Sequence, residues 1–203
     1  MYLINLVGNN DVTIAMNCNL SNYFSQTPNI KYKYVRYLER SSANWDYALF
    51  GVNYIHPYQL KNNTWQSADI IKTFYQQKKP VAVLLKRRTK NDYKGIVEVD
   101  NGNYKQADKL LKEAVKDNPY NVWLFVYLAK ICFGENDFSA FEKYLKEGLE
   151  LHPFYEPFYL LKAQKQFNDG EYSESMETLQ QLMQINPRYT NATRLLRAVK
   201  EKL

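Results

Sequence analysis

Histidine, the side chain most often used for general acid–base catalysis, is rare in this 203-residue chain. Its two histidines are His56 and His152. His56 stands in the run IHPY, ten residues after Asp46, and a carboxylate that orients an imidazole is a common arrangement for a general base. A histidine before a proline also forms loop hydrogen bonds, and an aspartate also fixes the start of a strand. We favour these plainer roles for His56 and Asp46, and we expect His152 to end a helix.

Other chemical motifs do not occur in the sequence. It has no glycine-rich phosphate loop, no zinc-ligand spacing and no nucleophile-elbow pattern. The two cysteines, Cys18 and Cys132, are too far apart in sequence to indicate a metal site or a disulfide framework. The sequence therefore predicts no catalytic residue, no cofactor and no metal.

The excess positive charge is confined to the first part of the chain. Residues 1–87 contain ten Lys and Arg against four Asp and Glu, whereas residues 88–203 contain 17 of each. This contrast predicts a domain boundary near residue 88. A basic domain also favours anionic surfaces, so an anionic membrane surface is one predicted contact of the N-terminal domain.

The basic aromatic run KYKYVRYLER raises the question of nucleic-acid binding, since rings stack on bases and cations neutralise phosphates. In a strand, however, Lys31 and Lys33 face one way while Tyr32 and Tyr34 face the other. Neither face is a continuous basic and aromatic platform. An edge strand protected by lysines accounts for the pattern better, and the sequence does not favour a nucleic-acid partner.

The second part of the chain repeats with a period of 34 residues. Pro119, Pro153 and Pro187 are each 34 residues apart, which defines the units 88–121, 122–155 and 156–189 with proline at position 32. Four further positions repeat: Gly95, Ala129 and Ala163 at 8; Gly102, Asn136 and Gly170 at 15; Tyr104, Phe138 and Tyr172 at 17; Leu111, Leu145 and Leu179 at 24.

Each repeated position has a physical role in a pair of helices. Gly and Asn tolerate positive φ, so position 15 predicts a tight turn between two helices. Small residues at position 8 allow the helices to approach, the aromatic and leucine positions fill the space between them, and proline follows the second helix. These units resemble the tetratricopeptide repeat, which implies a solenoid of three helical hairpins.

Residues 190–203 are predicted to form a capping helix at the end of this solenoid. Thr190 or Asn191 can cap it, and Leu195, Leu196 and Val199 give it one apolar face.

The second unit departs from the repeat pattern at two positions. It has the large Phe141 where the motif prefers a small residue, and Gly148 where the other units have a side chain. We expect Phe141 to fill the space that Gly148 leaves.

The resemblance also implies a concave groove lined by positions 2, 5, 9, 12 and 13 of the first helices. In the second and third units these are Trp123, Val126, Lys130, Phe133, Gly134, Pro157, Leu160, Gln164, Phe167 and Asn168. Some family members hold a terminal carboxylate with Lys at 5 and Asn at 9, a clamp that this sequence lacks. The groove is apolar and aromatic, and it fits either an apolar segment of a partner protein or this chain's own N-terminal domain.

The first 87 residues predict a small α/β domain with a mostly parallel sheet. Helical character is expected at 19–28 and at 67–80, where Ser67 can cap a helix, and a loop with a short helical turn is expected at 54–65. Four short apolar or β-branched runs have strand length: 11–16, 31–38, 46–52 and 81–86.

The segment from Asn22 to Leu60 resembles the soluble tail of bacterial membrane glycosyltransferase-like proteins related to protein mannosyltransferases, mainly through Trp45, Asp46, Tyr47 and the YIHPYQL run. This resemblance implies a non-catalytic scaffold on the extracytoplasmic side of a membrane, with any catalytic groups in a membrane domain outside this sequence. The alternative is a stand-alone α/β enzyme, cytoplasmic in location, with the repeats as a targeting arm.

Cell fractionation of the native polypeptide separates these two interpretations. If the chain is the tail of a membrane protein, antibodies raised against it will detect a membrane-bound species much heavier than 24.1 kDa. A soluble species of that mass would exclude the tail interpretation.

Overall fold

The structure is a computed structural model that describes residues 2–18 and 27–203, and its packing divides the chain into two units, Met1–Leu124 and Phe125–Leu203. The strands are β1 Val12–Met16, β2 Ile30–Tyr34, β3 Tyr47–Gly51, β4 Ile70–Gln76 and β5 Lys79–Lys86. The helices are α1 Tyr2–Val7, α2 Pro57–Asn62, α3 Asn91–Asp100, α4 Tyr104–Asp117, α5 Val122–Gly134, α6 Phe138–Leu151, α7 Glu156–Asn168, α8 Tyr172–Ile185 and α9 Thr190–Lys200.

The expected order of an α/β part with a sheet and then a helical part is confirmed. The change from strands to helices falls between Lys86 and Asn91, close to the predicted boundary at residue 88. The division by packing lies further along, inside α5, because the first helical hairpin belongs to the same unit as the sheet.

The five strands form one mixed sheet in the order β2-β1-β3-β5-β4. β1 runs parallel to β2 and β3, whereas β5 runs antiparallel to β3 and β4. The prediction of a mostly parallel sheet is therefore wrong. The reason is the segment 67–80, which forms β4 and turns directly into β5, and a short hairpin joins only antiparallel neighbours.

The hairpin turn accounts for the difference between this segment and the predicted helix. Gln77 and Lys78 both have positive φ, 47° and 65°, as a two-residue primed turn requires. The usual signal for that turn is Asn-Gly, which is absent here. The Ser67 hydroxyl, expected to cap a helix, instead donates to Asn118 Oδ1 over 2.7 Å.

Both faces of the sheet are covered within the first unit. On one face α1, which the sequence did not predict, packs Leu3 and Val7 against Ile14 and Leu84. On the other face Trp45 and its neighbours form a second apolar cluster with Tyr37, Phe50, Ile55, Trp65, Val83 and Leu85. The predicted helix at 19–28 lies almost wholly outside the described residues.

A buried arginine joins the end of β5 to the first helical hairpin. The Arg87 side chain is 2% exposed and donates to Asp92 Oδ2 in α3 over 2.7 Å and to the Ala43 carbonyl over 2.8 Å. Its guanidinium lies 4.2 Å from the centre of the Trp45 ring. A buried cation is stable only with such partners, so Arg87 ties the sheet to α3.

Polar side chains after α4 extend this junction. Asn118 Oδ1 accepts from Ser67 Oγ and from the Ala68 N–H, and its Nδ2 donates to Asp69 Oδ2 over 3.2 Å. The Arg88 N–H in turn donates to Asp69 Oδ1. Both ends of the first hairpin are therefore bonded to the sheet domain.

The repeated turn positions adopt the predicted conformation. Gly102, Asn136 and Gly170 have φ of 76°, 60° and 82°, and each follows the first helix of its hairpin. Pro119 and its two counterparts each lie two residues beyond the end of α4, α6 or α8. The helical pairing predicted from the 34-residue period is confirmed at these positions.

The small and leucine positions behave as expected inside the hairpins. Gly95 is buried, and a Cβ atom there would lie 2.7 Å from Leu111 Cγ, so α3 and α4 approach closely. Ala129, Ala163, Leu145 and Leu179 are also buried. The aromatic position is less uniform: Phe138 is 38% exposed, with Lys165 Nζ 4.8 Å from its ring centre.

The last helix, α9, packs Ala192 and Val199 onto a cluster with α7 and α8, and Leu195 and Leu196 border that cluster. The apolar face predicted for it is confirmed. The predicted caps are not: Tyr189 is the N-cap residue, with no side-chain hydrogen bond, and Thr190 begins the helix. Among the described residues, no helix combines the length and apolar character needed to cross a membrane.

The space beside Gly148 is filled by Phe158, not by Phe141 as expected. An ideal Cβ on Gly148 would overlap the Phe158 ring, so the ring occupies the volume of the missing side chain. Phe141 is fully buried elsewhere, with its ring 5.7 Å from that of Phe133. Gly148 and Phe141 lie on one helix, whereas Phe158 reaches Gly148 from α7.

Because of this contact, the sign of the change in unfolding free energy caused by Gly148→Ala tests the packing. In an open helix the change would stabilise by about 1 kcal/mol through helix propensity. Here the clash with Phe158 reverses the sign, and we expect the free energy of unfolding in urea to fall by about 1–3 kcal/mol. Lys146→Ala, at an exposed position of the same helix, is the control and should change stability by less than about 0.5 kcal/mol. An unchanged or raised stability of Gly148→Ala would contradict this packing.

Candidate binding surface on the first helices of the repeats

The possible general base is not assembled in the structure. Asp46 Oδ2 accepts from the Thr13 N–H over 2.9 Å, and its Oδ1 accepts from Lys90 Nζ over 3.0 Å. His56 is the N-cap of α2, and its Nδ1 accepts from the Tyr58 N–H over 3.2 Å. Asp46 thus uses both carboxylate oxygens to join β1, the start of β3 and the segment before α3.

The surroundings of Asp46 and Asp69 shift their acidities in opposite directions. Burial raises the pKa of Asp46, but the Thr13 N–H, the hydrogen bond and charge of Lys90, and the charge of Arg87 outweigh it, so the pKa is lowered. Burial also raises the pKa of Asp69, and there the hydrogen bonds do not compensate, so the pKa stays raised. The hydrogen bonds of these two side chains support the structure at the junction.

The first helix of the first repeat is taken up by this junction. Asp92 stands at position 5 of that repeat and is bound to Arg87, while Ile96 at position 9 is buried. The short turn Arg40–Ser42 also packs against α3. Of the positions that line a tetratricopeptide groove, Asp92 in α3 therefore contacts this chain's own N-terminal part.

In the second and third repeats, several predicted groove residues are open to solvent. Lys130, Gly134 and Asn168 are exposed, and Gln164 is half-buried. Lys130 Nζ lies 4.4 Å from the centre of the Tyr127 ring. On α5 these residues present the Lys130 cation and the exposed backbone of Gly134. On α7 they present the side-chain amides of Gln164 and Asn168.

The aromatic and leucine groove residues also pack within their own hairpins. Phe133 is half-buried, with its ring 5.7 Å from that of Phe141 in α6. Phe167 is half-buried, with its ring 5.5 Å from that of Tyr172 in α8, and Leu160 borders the same apolar cluster. Each can offer part of its surface to a ligand while its remainder stabilises the hairpin.

Three other predicted groove residues contribute less. Val126 is 2% exposed and offers no surface to a ligand. Trp123 and Pro157 are half-buried near the beginnings of α5 and α7.

A charged pair closes the end of α7. Lys165 Nζ donates to Asp169 Oδ2 over 2.6 Å, and this hydrogen bond is the main reason that the pKa of Lys165 is raised. Asn168, next to Asp169, is also exposed at this end of the helix. Sequence spacing could have predicted the pair, since Lys165 and Asp169 are four residues apart.

A family model identifies the repeat. Residues 98–165 match the tetratricopeptide repeat model, which confirms that this part of the chain is a tetratricopeptide repeat region. None of the curated proteins matches the chain.

Solved tetratricopeptide repeat domains are similar to about half of the chain. The first such domain of human RPAP3 is 21% identical over 54% of this chain and 86% of that one, with a TM-score of 0.49. The TPR2B domain of yeast Sti1, in its pHsp70 complex, is 18% identical over 56% and 95%, also at 0.49. The domain of Arabidopsis OM64 is 15% identical over 54% and 91%, at 0.49.

The two junction aspartates predict opposite pH dependences of stability. Asp46, whose pKa is lowered, contributes stability that is present above its ordinary value of 3.8 and is lost as pH falls through its folded pKa. Asp69, whose pKa is raised, makes the folded state gain stability as pH falls through its folded pKa. The comparison variants are Asp46→Asn and Asp69→Asn, each unfolded in urea between about pH 7 and about pH 3.

On acidification, the stability of wild type relative to Asp46→Asn should decrease, whereas its stability relative to Asp69→Asn should increase. Differences that move in the same direction, or that do not vary with pH, would contradict the two assignments.

Proposed function

We propose that the chain is a protein–protein interaction module whose helices α5 and α7 contact the partner. The observation that carries this proposal is the tetratricopeptide repeat over residues 98–165. Repeats of this type present their first helices as a continuous recognition surface. The exposed Lys130 and Asn168 and the half-buried Phe133 and Phe167 lie on those helices and supply polar and apolar contacts.

The chemistry of this surface favours an internal apolar segment over an acidic chain terminus. The similar structures include the second repeat domain of human RPAP3 in complex with the Hsp70 peptide SGPTIEEVD. In the present chain the position of the carboxylate-binding lysine is held by the buried Val126, and that of the asparagine by Lys130. The half-buried aromatic rings of α5 and α7 instead suit an apolar helix or an extended apolar strand.

The N-terminal domain supports this role by covering the first repeat. A tetratricopeptide array has an open end that needs a polar cover, and here the sheet domain bonds to α3 and α4 through Arg87 and Asn118. The arrangement assigns α3 to stability and leaves α5 and α7 for recognition. In this proposal the N-terminal domain is a scaffold and not a catalytic unit.

For location, we propose the extracytoplasmic side of a bacterial membrane, as part of a glycosyltransferase-like protein. This proposal rests on the resemblance of the Asn22–Leu60 segment alone, since the family model covers residues 98–165 only. The fractionation experiment described above tests this location. A soluble species would overturn the proposed location and would not affect the proposed binding role of α5 and α7.

The binding role is tested with the double variant Lys130→Glu, Asn168→Arg. Tagged wild type, double variant and the control Lys146→Glu, which changes an exposed residue of α6, are each used to capture proteins from the native extract, with quantification by mass spectrometry. We expect at least one protein to be captured by wild type and control and to fall about tenfold with the double variant, since central contacts carry most binding energy. Circular dichroism melting checks that all three fold. Equal loss with the control, or no loss with the double variant, would refute binding by α5 and α7.

A further inference from the structure

The two edges of the sheet differ in their suitability for pairing with another strand. β4 forms one edge, and its register with β5 shifts between Ile70 and Lys72 and again between Phe74 and Tyr75. Such irregularities disrupt a ladder and protect an edge. β2 forms the other edge, and its five residues pair in unbroken register with β1. Of the two edge strands in the described part of the sheet, β2 therefore has the regular edge.

The backbone of β2 leaves a defined set of groups on its outer side. The Val12 N–H donates to the Asn29 carbonyl and the Val35 N–H donates to the Met16 carbonyl, so the odd-numbered residues of this stretch turn toward β1. Backbone groups alternate along a strand, which places the N–H and carbonyl groups of Tyr32 and Tyr34 on the outer side. Among the described residues, β1 is the strand that β2 pairs with.

The exposed side chains of β2 are of two kinds, aromatic and cationic. Ile30 belongs to the cluster under α1 and Val35 to the cluster on the opposite face. By alternation, Tyr32 and Tyr34 lie on the face of Ile30, and they are 48% and 70% exposed. The lysines at 31 and 33 lie on the face of Val35 and are also exposed. One face of the edge is aromatic and the other is cationic.

A cleft continues this edge at its carboxyl end. Its volume is about 450 Å³, and Lys33, Tyr34, Arg36 and Glu39 contribute to its lining. Glu39 is paired with Arg36 over 3.3 Å, which leaves the Lys33 cation without a lining carboxylate of its own. A negatively charged side chain would therefore complement the charge of Lys33 in this cleft.

We propose that β2 binds an extended protein segment that adds a sixth strand to the sheet, with acidic residues alternating with apolar ones. The outer groups of Tyr32 and Tyr34 bond the backbone of this segment, its acidic side chains lie beside Lys31 and Lys33, and its apolar side chains lie on the tyrosine rings. Lysines on an edge disfavour pairing with a second copy, since like charges would meet, and they favour a strand of opposite charge. This surface consists of residues other than the predicted groove residues of α5 and α7.

The probe is a capped hexapeptide in which glutamate alternates with valine, and the control peptide has the same composition in two blocks, three glutamates and then three valines. Binding is measured by calorimetry with the full chain. We expect the alternating peptide to bind better than the block peptide and to weaken as ionic strength rises from about 0.05 M to about 0.5 M.

Tyr32→Pro tests the backbone contribution. Because the Tyr32 N–H points outward, proline removes a bond to the peptide and keeps the ladder to β1, and edge strands tolerate proline in this orientation. We expect about a tenfold loss of affinity, the effect of one or two hydrogen bonds. Tyr32→Thr keeps the N–H and β-propensity and is the control for the lost ring. Melting temperatures establish that each variant folds.

Charge reversal, Lys31→Glu with Lys33→Glu, tests the side-chain contribution independently of proline. This variant should reject the glutamate peptide and bind the corresponding lysine–valine peptide. The groove variant Lys130→Glu, Asn168→Arg should bind the glutamate peptide as wild type does.

Any of the following outcomes would overturn the proposal: no binding of the alternating peptide, equal binding of the block peptide, unchanged binding by Tyr32→Pro, or a dimer of the chain that Tyr32→Pro dissociates. The last outcome would identify the occupant as a second copy. Tighter binding of a single-stranded RNA oligonucleotide than of the peptide, lost on charge reversal, would assign the edge to nucleic acid instead.

Discussion

The burial of Arg87 is the constraint on which the arrangement of the first unit depends. Its charge lies among apolar side chains, where it is stable only with Asp92, the Ala43 carbonyl and the Trp45 ring all in place. Those partners come from α3, from the loop before β3 and from the sheet core. The ion pair therefore joins the sheet to the first helical hairpin, and both belong to the same packing unit.

This coupling divides the repeats into two classes. The first hairpin is bonded to the sheet domain, because Asp92 accepts a hydrogen bond from Arg87 and Asn118 donates one to Asp69. The later first helices, α5 and α7, keep exposed polar residues such as Lys130 and Asn168. In the proposed function, binding and stability fall to different members of one repeat series, although all three share the same spacing of turn and proline.

Sequence reasoning succeeded where a residue type has one structural use. Gly102 and its counterparts predicted turns because few residues tolerate positive φ, and those turns are present. It failed at 67–80, where Gln77 and Lys78 adopt positive φ without the usual residues and convert an expected helix into a hairpin. The hydrogen bond between Asp69 and Asn118 could not be predicted from the sequence either, because 49 residues separate its partners and no local pattern marks them. The expected groove residue Val126 is buried, which depends on packing that spacing alone does not encode.

The Phe158 ring fills the space that a side chain at position 148 would occupy, and this packing has a consequence for the evolution of the repeats. Repeat arrays commonly lengthen, shorten or recombine by duplicating whole units, since each unit meets its neighbours through similar surfaces. Here a protrusion from the third unit fits an indentation in the second, and the match is specific to that order. Duplicating or exchanging either unit alone would bring together surfaces that do not fit.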